Sequence, residues 1–374
     1  MILTHCAACA APLGLALGKK CGRCSTRYCG PACQEQHWKE GGHDQLCKLI
    51  KKAGGAEQYN ANTKYTEAVS VAAEACAEDT KGQTCYICTQ ALHWKTKEGL
   101  VRMCACRGTA GFAHVSCLAE QAKILVDDAE ERNLDYEIRD SRWARWTACG
   151  LCEQEYHGVV LCALGWACWK TYVSRPEDSN TIRTCAIGVL AHGLGDAGRH
   201  EERLQIQQTQ FSTQMRLGLS EQELLATRCN IAVCLEELGR DEEALALRRE
   251  CYATSKRLNV ANPGDLYIDV LNLSKSLLDT HRHTEARSFL REQLPKARRA
   301  LGPADDTLFK LRWNYALSLC DTGASREDVL EATTLLEELS STAQRVYGPS
   351  NPVAAGVKRD LAHARRKLAS STDS

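Results

Sequence analysis

The chain has 374 residues, 44% hydrophobic and 25% charged, with 47 basic against 47 acidic side chains and 22 cysteines. That length admits about two or three domains. The even charge gives no sign of bulk nucleic-acid binding, and the longest apolar run, residues 158–169, falls short of the ~18 needed to span a bilayer.

In chain order, the first elements are metal-ligand pairs. Fourteen of the fifteen cysteines before residue 153, with two histidines, form two eight-ligand sets. The first is Cys6-x2-Cys9, Cys21-x2-Cys24, Cys29-x3-Cys33 and His43-x3-Cys47; the second is Cys85-x2-Cys88, Cys104-x-Cys106, His114-x2-Cys117 and Cys149-x2-Cys152. Two thiolates a few residues apart grip one ion from a tight turn, and a histidine and cysteine four apart share a helix face. Two pairs close a tetrahedral site and leave no open position, so the expectation is four structural zinc ions, two per module. A disulfide framework is the competing reading. Against it, histidines occupy ligand slots, and the start MILTHCAACAAPLGLALG has no basic segment before its apolar stretch. A reducing compartment, cytosol or nucleus, is therefore expected.

The ligand order of residues 1–50, closing on CQEQHWKEGGHDQLC, resembles the MYND zinc finger. The resemblance implies interleaved sites, Cys6, Cys9, Cys29 and Cys33 against Cys21, Cys24, His43 and Cys47, in a module that binds proteins or short proline-containing peptides. His37 competes with His43, because it too lies four residues from a cysteine, Cys33. The family pattern favours His43 and puts Trp38 in the miniature core, although the gap from Trp38 to His43 is a residue or two long. Residues 51–80 lack ligand spacing and read as a linker with one Ala/Glu-rich helix, which would let the first module move.

Residues 81–157 contain CACRGTAGFAHVSCL and end near CGLCEQEY, and they resemble the RING-CH variant of the RING finger. The resemblance implies a cross-brace, with Cys85, Cys88, His114 and Cys117 on one zinc and Cys104, Cys106, Cys149 and Cys152 on the other. It also implies a ubiquitin ligase that docks a ubiquitin-charged conjugating enzyme and supplies orientation rather than a nucleophile, so no catalytic residue is expected. Ile87 is then the contact for that enzyme and Trp146 a candidate second one; core packing is the competing role for both. Two features depart from the family. The 31 residues between Cys117 and Cys149 form a long loop holding an amphipathic helix, and Glu153 stands where active ligases place a basic residue.

Residues 158–369 are expected to be helical throughout. NIAVCLEELGRDEEA, NLSKSLLDTHRHTEA and NYALSLCDTGASREDVLEA place Asn230, Asn272 and Asn314 42 residues apart. Small residues recur at Ala232, Ser274 and Ala316, and again at Ala244, Ala286 and Ala332. A weaker copy ends in LGDAGRHEERLQIQQTQF, and VKRDLAHARRKL reads as a terminal cap. These marks resemble the tetratricopeptide repeats of kinesin light chain, which implies an α-solenoid that binds peptides or proteins. Residues 370–374 read as a disordered tail.

The expected fold is therefore mainly α, two small cross-brace zinc modules followed by an α-solenoid of helical hairpins. Two functions fit it. One is a zinc-binding ubiquitin ligase recruiting substrate through its MYND and repeat modules; the other is a non-catalytic interaction scaffold. Nucleic-acid binding is disfavoured because no helix between finger ligands carries clustered arginines and lysines with base-reading side chains. No membrane partner is expected.

Overall fold

The computed structural model describes residues 5–11, 13, 18–176, 181–258, 263–321 and 323–370, so 371–374 of the expected tail lie outside it. The chain divides into two compact units, Met1–Leu219 and Ser220–Ser374. All 22 cysteines are unbridged. Among the described residues no helix is long and apolar enough to cross a membrane.

The first unit opens with a two-stranded antiparallel ribbon, β1 (Lys19–Lys20) on β2 (Arg27–Tyr28), followed by α1 (Pro31–Lys39) and α2 (His43–Lys52). Proline opens α1, where a missing N–H costs nothing. Gly54 and Gly55, both with positive φ, break the chain before α3 (Ala56–Ala75). Next come α4 (Val115–Glu131), α5 (Tyr136–Trp143), a 3-10 turn at Ala144–Trp146, α6 (Gly158–Tyr172), α7 (Thr181–Asp196) and α8 (His200–Arg216). The amphipathic helix expected in the long loop is α4, and it starts directly after the ligand His114.

Helix α6 organises this unit. It is apolar all round, and such a helix must be covered all round; α3, α4 and α7 pack against it. Glycines set the closeness of α7: a Cβ on Gly193 would lie 2.6 Å from the Leu161 carbonyl oxygen, and one on Gly165 3.0 Å from Leu190 Cα. Trp166, Trp169 and Tyr172 of α6 share one core with Trp146, Phe112 and Val101 of the second zinc module. No core boundary therefore falls between the second finger and α6, in keeping with the few residues that separate Cys152 from this helix. The reason is that α6 has no solvent face and takes its cover from the finger.

The segment 51–80 also differs from a loose tether. The Ala56 N–H donates to the Cys24 carbonyl at 3.0 Å, which ties the start of α3 to a zinc-ligand turn. The rest of α3 lies on α6: Gln58 Nε2 donates to the Lys170 carbonyl at 2.9 Å, and Glu57 pairs with Arg183 of α7 at 3.1 Å. Alanines at 61, 68 and 72 give α3 a small-residue face that fits against the bulky α6.

The second unit is a stack of helical hairpins: α9 (Glu221–Glu237) with α10 (Asp241–Leu258), α11 (Pro263–Asp279) with α12 (His283–Leu301), and α13 (Asp306–Ser318) with α14 (Arg326–Tyr347). Capping boxes at Ser220/Glu223 and Ser325/Asp328 start α9 and α14. The recurring small residues Ala232, Ser274, Ala316, Ala244, Ala286 and Ala332 are all fully buried, as close helix approach demands. Asn314 shows what one repeat asparagine does: its Nδ2 donates to Ser274 Oγ of the preceding hairpin at 2.9 Å.

The cap is α15 (Pro352–Ser370), which packs on α14. Its Lys367 ammonium donates to the carbonyls of Cys320 and Asp321 just past the end of α13, the end where a cation is favoured. A Cβ on Gly356 would lie 2.7 Å from the Trp313 ring, whose Nε1 donates to Asp360 at 3.0 Å. Gly356→Val should therefore lift α15 off Trp313 and cost about 2 kcal/mol, read as a lower melting temperature by circular dichroism with unchanged zinc content.

Candidate metal centres and docking surface

The sixteen ligands assemble into four sets, Cys6/Cys9/Cys29/Cys33, Cys21/Cys24/His43/Cys47, Cys85/Cys88/His114/Cys117 and Cys104/Cys106/Cys149/Cys152, with the ligand atoms of each set within 4.8 Å of one another. Both modules are thus interleaved. Zinc–sulfur bonds of about 2.3 Å at tetrahedral angles hold sulfurs about 3.8 Å apart. The Sγ separations are 3.7 Å for Cys9–Cys29, 4.0 Å for Cys21–Cys47 and 3.7 Å for Cys106–Cys149. The His43 Nε2 to Cys24 Sγ distance is 3.4 Å, and His114 Nδ1 lies 3.4 Å and 3.6 Å from the sulfurs of Cys88 and Cys117. Four cages of zinc dimensions are present.

Charge agrees with size. Within the two cages of the second module the thiols shift both ways, Cys106 and Cys117 upward through burial and the neighbouring thiols, and Cys152 downward through the Gln154 backbone, and gathering ionised thiols at such spacing calls for a cation at the centre. Burial moves His43 and His114 below the ordinary histidine value, which keeps them in the neutral form that binds metal. The outer nitrogen of His114, Nε2, lies 3.4 Å from the Ala91 carbonyl, which orients the ring.

The choice between His37 and His43 falls to His43. His37 Nδ1 lies 3.0 Å from the Tyr28 hydroxyl, and His37 is not among the four ligands of either cage. The extra residues after Trp38 are the turn Gly41–Gly42. Gly42 has φ +70°, and a Cβ on Gly41 would lie 2.2 Å from the His37 ring. Trp38 itself is not in the miniature core: it is 40% exposed, and the core is Tyr28, Leu13, Ile50 and Ala56. Tyr28 on the strand already fills the space beside the ligands.

The four Cys-x2-Cys turns are built alike. The residue after each second cysteine (Ala10, Ser25, Thr89, Glu153) takes φ near +60° and donates its N–H to the first cysteine's carbonyl at 2.8–3.0 Å. A fifth turn has the same backbone without ligands: Lys97 has φ +60°, its N–H donates to the His93 carbonyl at 2.9 Å, and His93 N–H donates to the Glu98 carbonyl at 3.0 Å. Here His93 Nδ1 lies 2.8 Å from Thr96 Oγ1, so a hydrogen bond spans the two positions that a metal bridges elsewhere. The His93 ring sits 5.3 Å from that of His114.

Ile87 is 37% exposed and Leu151 52%. Each is the third residue of its turn, and each donates its N–H to the first cysteine's sulfur at 3.4 Å. The two turns come together at Tyr86, whose hydroxyl is 3.5 Å from Gln121 Oε1 on α4; a Cβ on Gly150 would lie 3.9 Å from that hydroxyl. Spacing alone marks Leu151 as the equivalent of Ile87, a signal that the larger Trp146 nearby overshadows in the sequence. That tryptophan is fully buried, edge-on to Tyr172 at 5.8 Å, so it is a core residue and presents nothing to a partner.

Comparison with known proteins places the zinc modules. Residues 6–47 match the family model of the MYND finger and residues 85–132 that of the RING-variant domain. The second match stops before Cys149 and Cys152, which the fold brings to Cys104 and Cys106. No curated protein matches. Among solved structures, one of Podosopora anserina putative kinesin light chain nearly identical TPR-like repeats is 14% identical, covers 63% of this chain and 98% of its own, and has a TM-score of 0.42. The structure of BtubC (BKLC) from P. vanneervenii is 14% identical, covers 69% and 92%, and has a TM-score of 0.41. The chain thus carries two zinc-finger modules, with four cages that fit zinc, followed by helical hairpins.

Proposed function

We propose that residues 85–152 dock a ubiquitin-charged conjugating enzyme, while the helical repeats or the MYND module hold the substrate. One observation carries this: Ile87 and Leu151 project at the same position of two equivalent zinc turns that meet against α4. They form a small apolar pair on a rigid frame, the kind of centre around which docking surfaces are built. The finger then acts by holding the thioester beside a substrate lysine and contributes no nucleophile. The second reading, a scaffold without transfer activity, draws on Glu153. It is exposed directly after the last ligand, where an acid repels a shared acidic contact.

Autoubiquitination across a panel of conjugating enzymes tests the pair. Activity in the wild type that falls at least about tenfold in Ile87→Ala and in Leu151→Ala supports docking at these residues. Silence in the wild type with activity in Glu153→Arg favours the scaffold. Activity indifferent to Ile87 and Leu151 sinks the proposed surface.

A further inference from the structure

Three helices of the second unit enclose a groove of about 1140 Å³. Helix α13 packs against both α12 and α14, and the groove runs between those two with α13 as its floor. The floor is apolar, with Leu308 and Tyr315 from α13 and Leu294 and Leu335 from the walls. Tyr315 is pinned: its hydroxyl accepts from Arg291 Nη2 at 3.2 Å and donates to Glu331 at 2.9 Å. Leu330 stands on the α14 wall at 51% exposure.

The walls carry opposite charge. Arg298 and Arg299 line the α12 side, Glu327 and Glu331 the α14 side, and Arg312 on the floor is already paired with Glu338 at 2.6 Å. Among the described residues neither Arg298 nor Glu327 has an ion-pair partner. A groove with an apolar floor, one basic wall and one acidic wall selects an occupant patterned in the same three stripes.

The occupant's conformation follows from the lining. All three elements are helices whose backbone groups bond internally, so no sheet edge is offered to an extended strand. The lining also holds no asparagine or glutamine amide, the side chain that donates to and accepts from one peptide unit together. An extended segment would lose water from its peptide groups without replacement, whereas a helix satisfies its own. We propose that this groove binds an amphipathic helix of a protein partner. Its apolar stripe lies on Tyr315 and Leu330, its carboxylates face α12, and its lysines or arginines face α14. This rests on the reading that the repeats hold a partner, and is independent of conjugating-enzyme docking.

The test uses the full zinc-loaded chain and a fluorescent, helix-stabilised synthetic peptide. The peptide carries leucines at i, i+3, i+4 and i+7, glutamates on one flank and lysines on the other. Saturable binding by anisotropy is expected. It should weaken about tenfold in Leu330→Asp and in the Arg298→Glu, Arg299→Glu double variant, and be lost when prolines break the peptide helix. A peptide with lysines on both flanks should gain about tenfold in the double variant. The substituted side chains are exposed, and thermal melts identify any variant that fails to fold. No saturable binding, equal binding of the proline-broken peptide, or indifference to Leu330→Asp in a folded protein overturns the proposal. Autoubiquitination measured on the same variants reports separately on the finger.

Discussion

Cys24→Ala should remove two zinc ions from the chain rather than one. Cys24 belongs to the set with Cys21, His43 and Cys47, while Cys6, Cys9, Cys29 and Cys33 hold the other ion of the same module. The chain passes from one site to the other and back, so neither can keep its geometry when the other is released. The module is small and its apolar core short, which leaves metal binding, on the order of 10 kcal/mol per ion, as its chief source of stability. Metal analysis of the purified wild type should give four zinc per chain and of Cys24→Ala two. A value of three would mean that the sites fold independently. Full chelation should go further and redden the tryptophan fluorescence, because Trp146 and Trp166 lie in the core shared with Cys149.

A single branched side chain on α7 should do comparable damage without touching metal. In Gly193→Val the first added carbon would sit 2.6 Å from the Leu161 carbonyl oxygen and 2.9 Å from Cys162 Cα, both backbone atoms that cannot rotate away. The helix pair must part, at a cost of about 3 kcal/mol or more. For a unit of this size that corresponds to a fall in melting temperature of roughly 6–12 °C. Gly188 lies on the same helix and is exposed, and a Cβ there would meet nothing within 4 Å. Gly188→Ala should therefore be neutral or stabilising by up to about 1 kcal/mol through helix propensity. Calorimetry on the two variants separates close packing from a general intolerance of substitution; equal melting temperatures would refute the packing argument.

The metal ligands are legible in the sequence because coordination chemistry constrains spacing tightly: a Cys-x2-Cys pair has few other uses. The repeats are legible for a similar reason, since Ala232, Ser274 and Ala316 must stay small where helices cross. Tryptophans are not. Trp38 and Trp146 stand at suggestive distances along the chain from a ligand, yet Trp38, expected in a core, is partly exposed, and Trp146, for which the sequence leaves surface contact and core packing both open, is fully buried. Sequence spacing does not fix which way a ring turns when strands and turns compete for a small core. The His93–Glu98 turn is silent in the sequence because its shape lies in backbone hydrogen bonds, while its side chains are not a metal pair. The seating of α3 on α6 depends on alanines that carry little pattern of their own.

The sharing of α6 between the second finger and its neighbouring helices decides how the chain can be divided. A fragment ending at residue 157 would keep all four ligand pairs of that finger yet strip Trp146, Phe112 and Val101 of the core they share with Trp166 and Trp169. Such a piece would bind zinc and still stick to itself. Inactivity of an isolated finger would then reflect an unroofed core rather than the chemistry of its docking surface, and cutting after Leu219 is the division that leaves the finger whole.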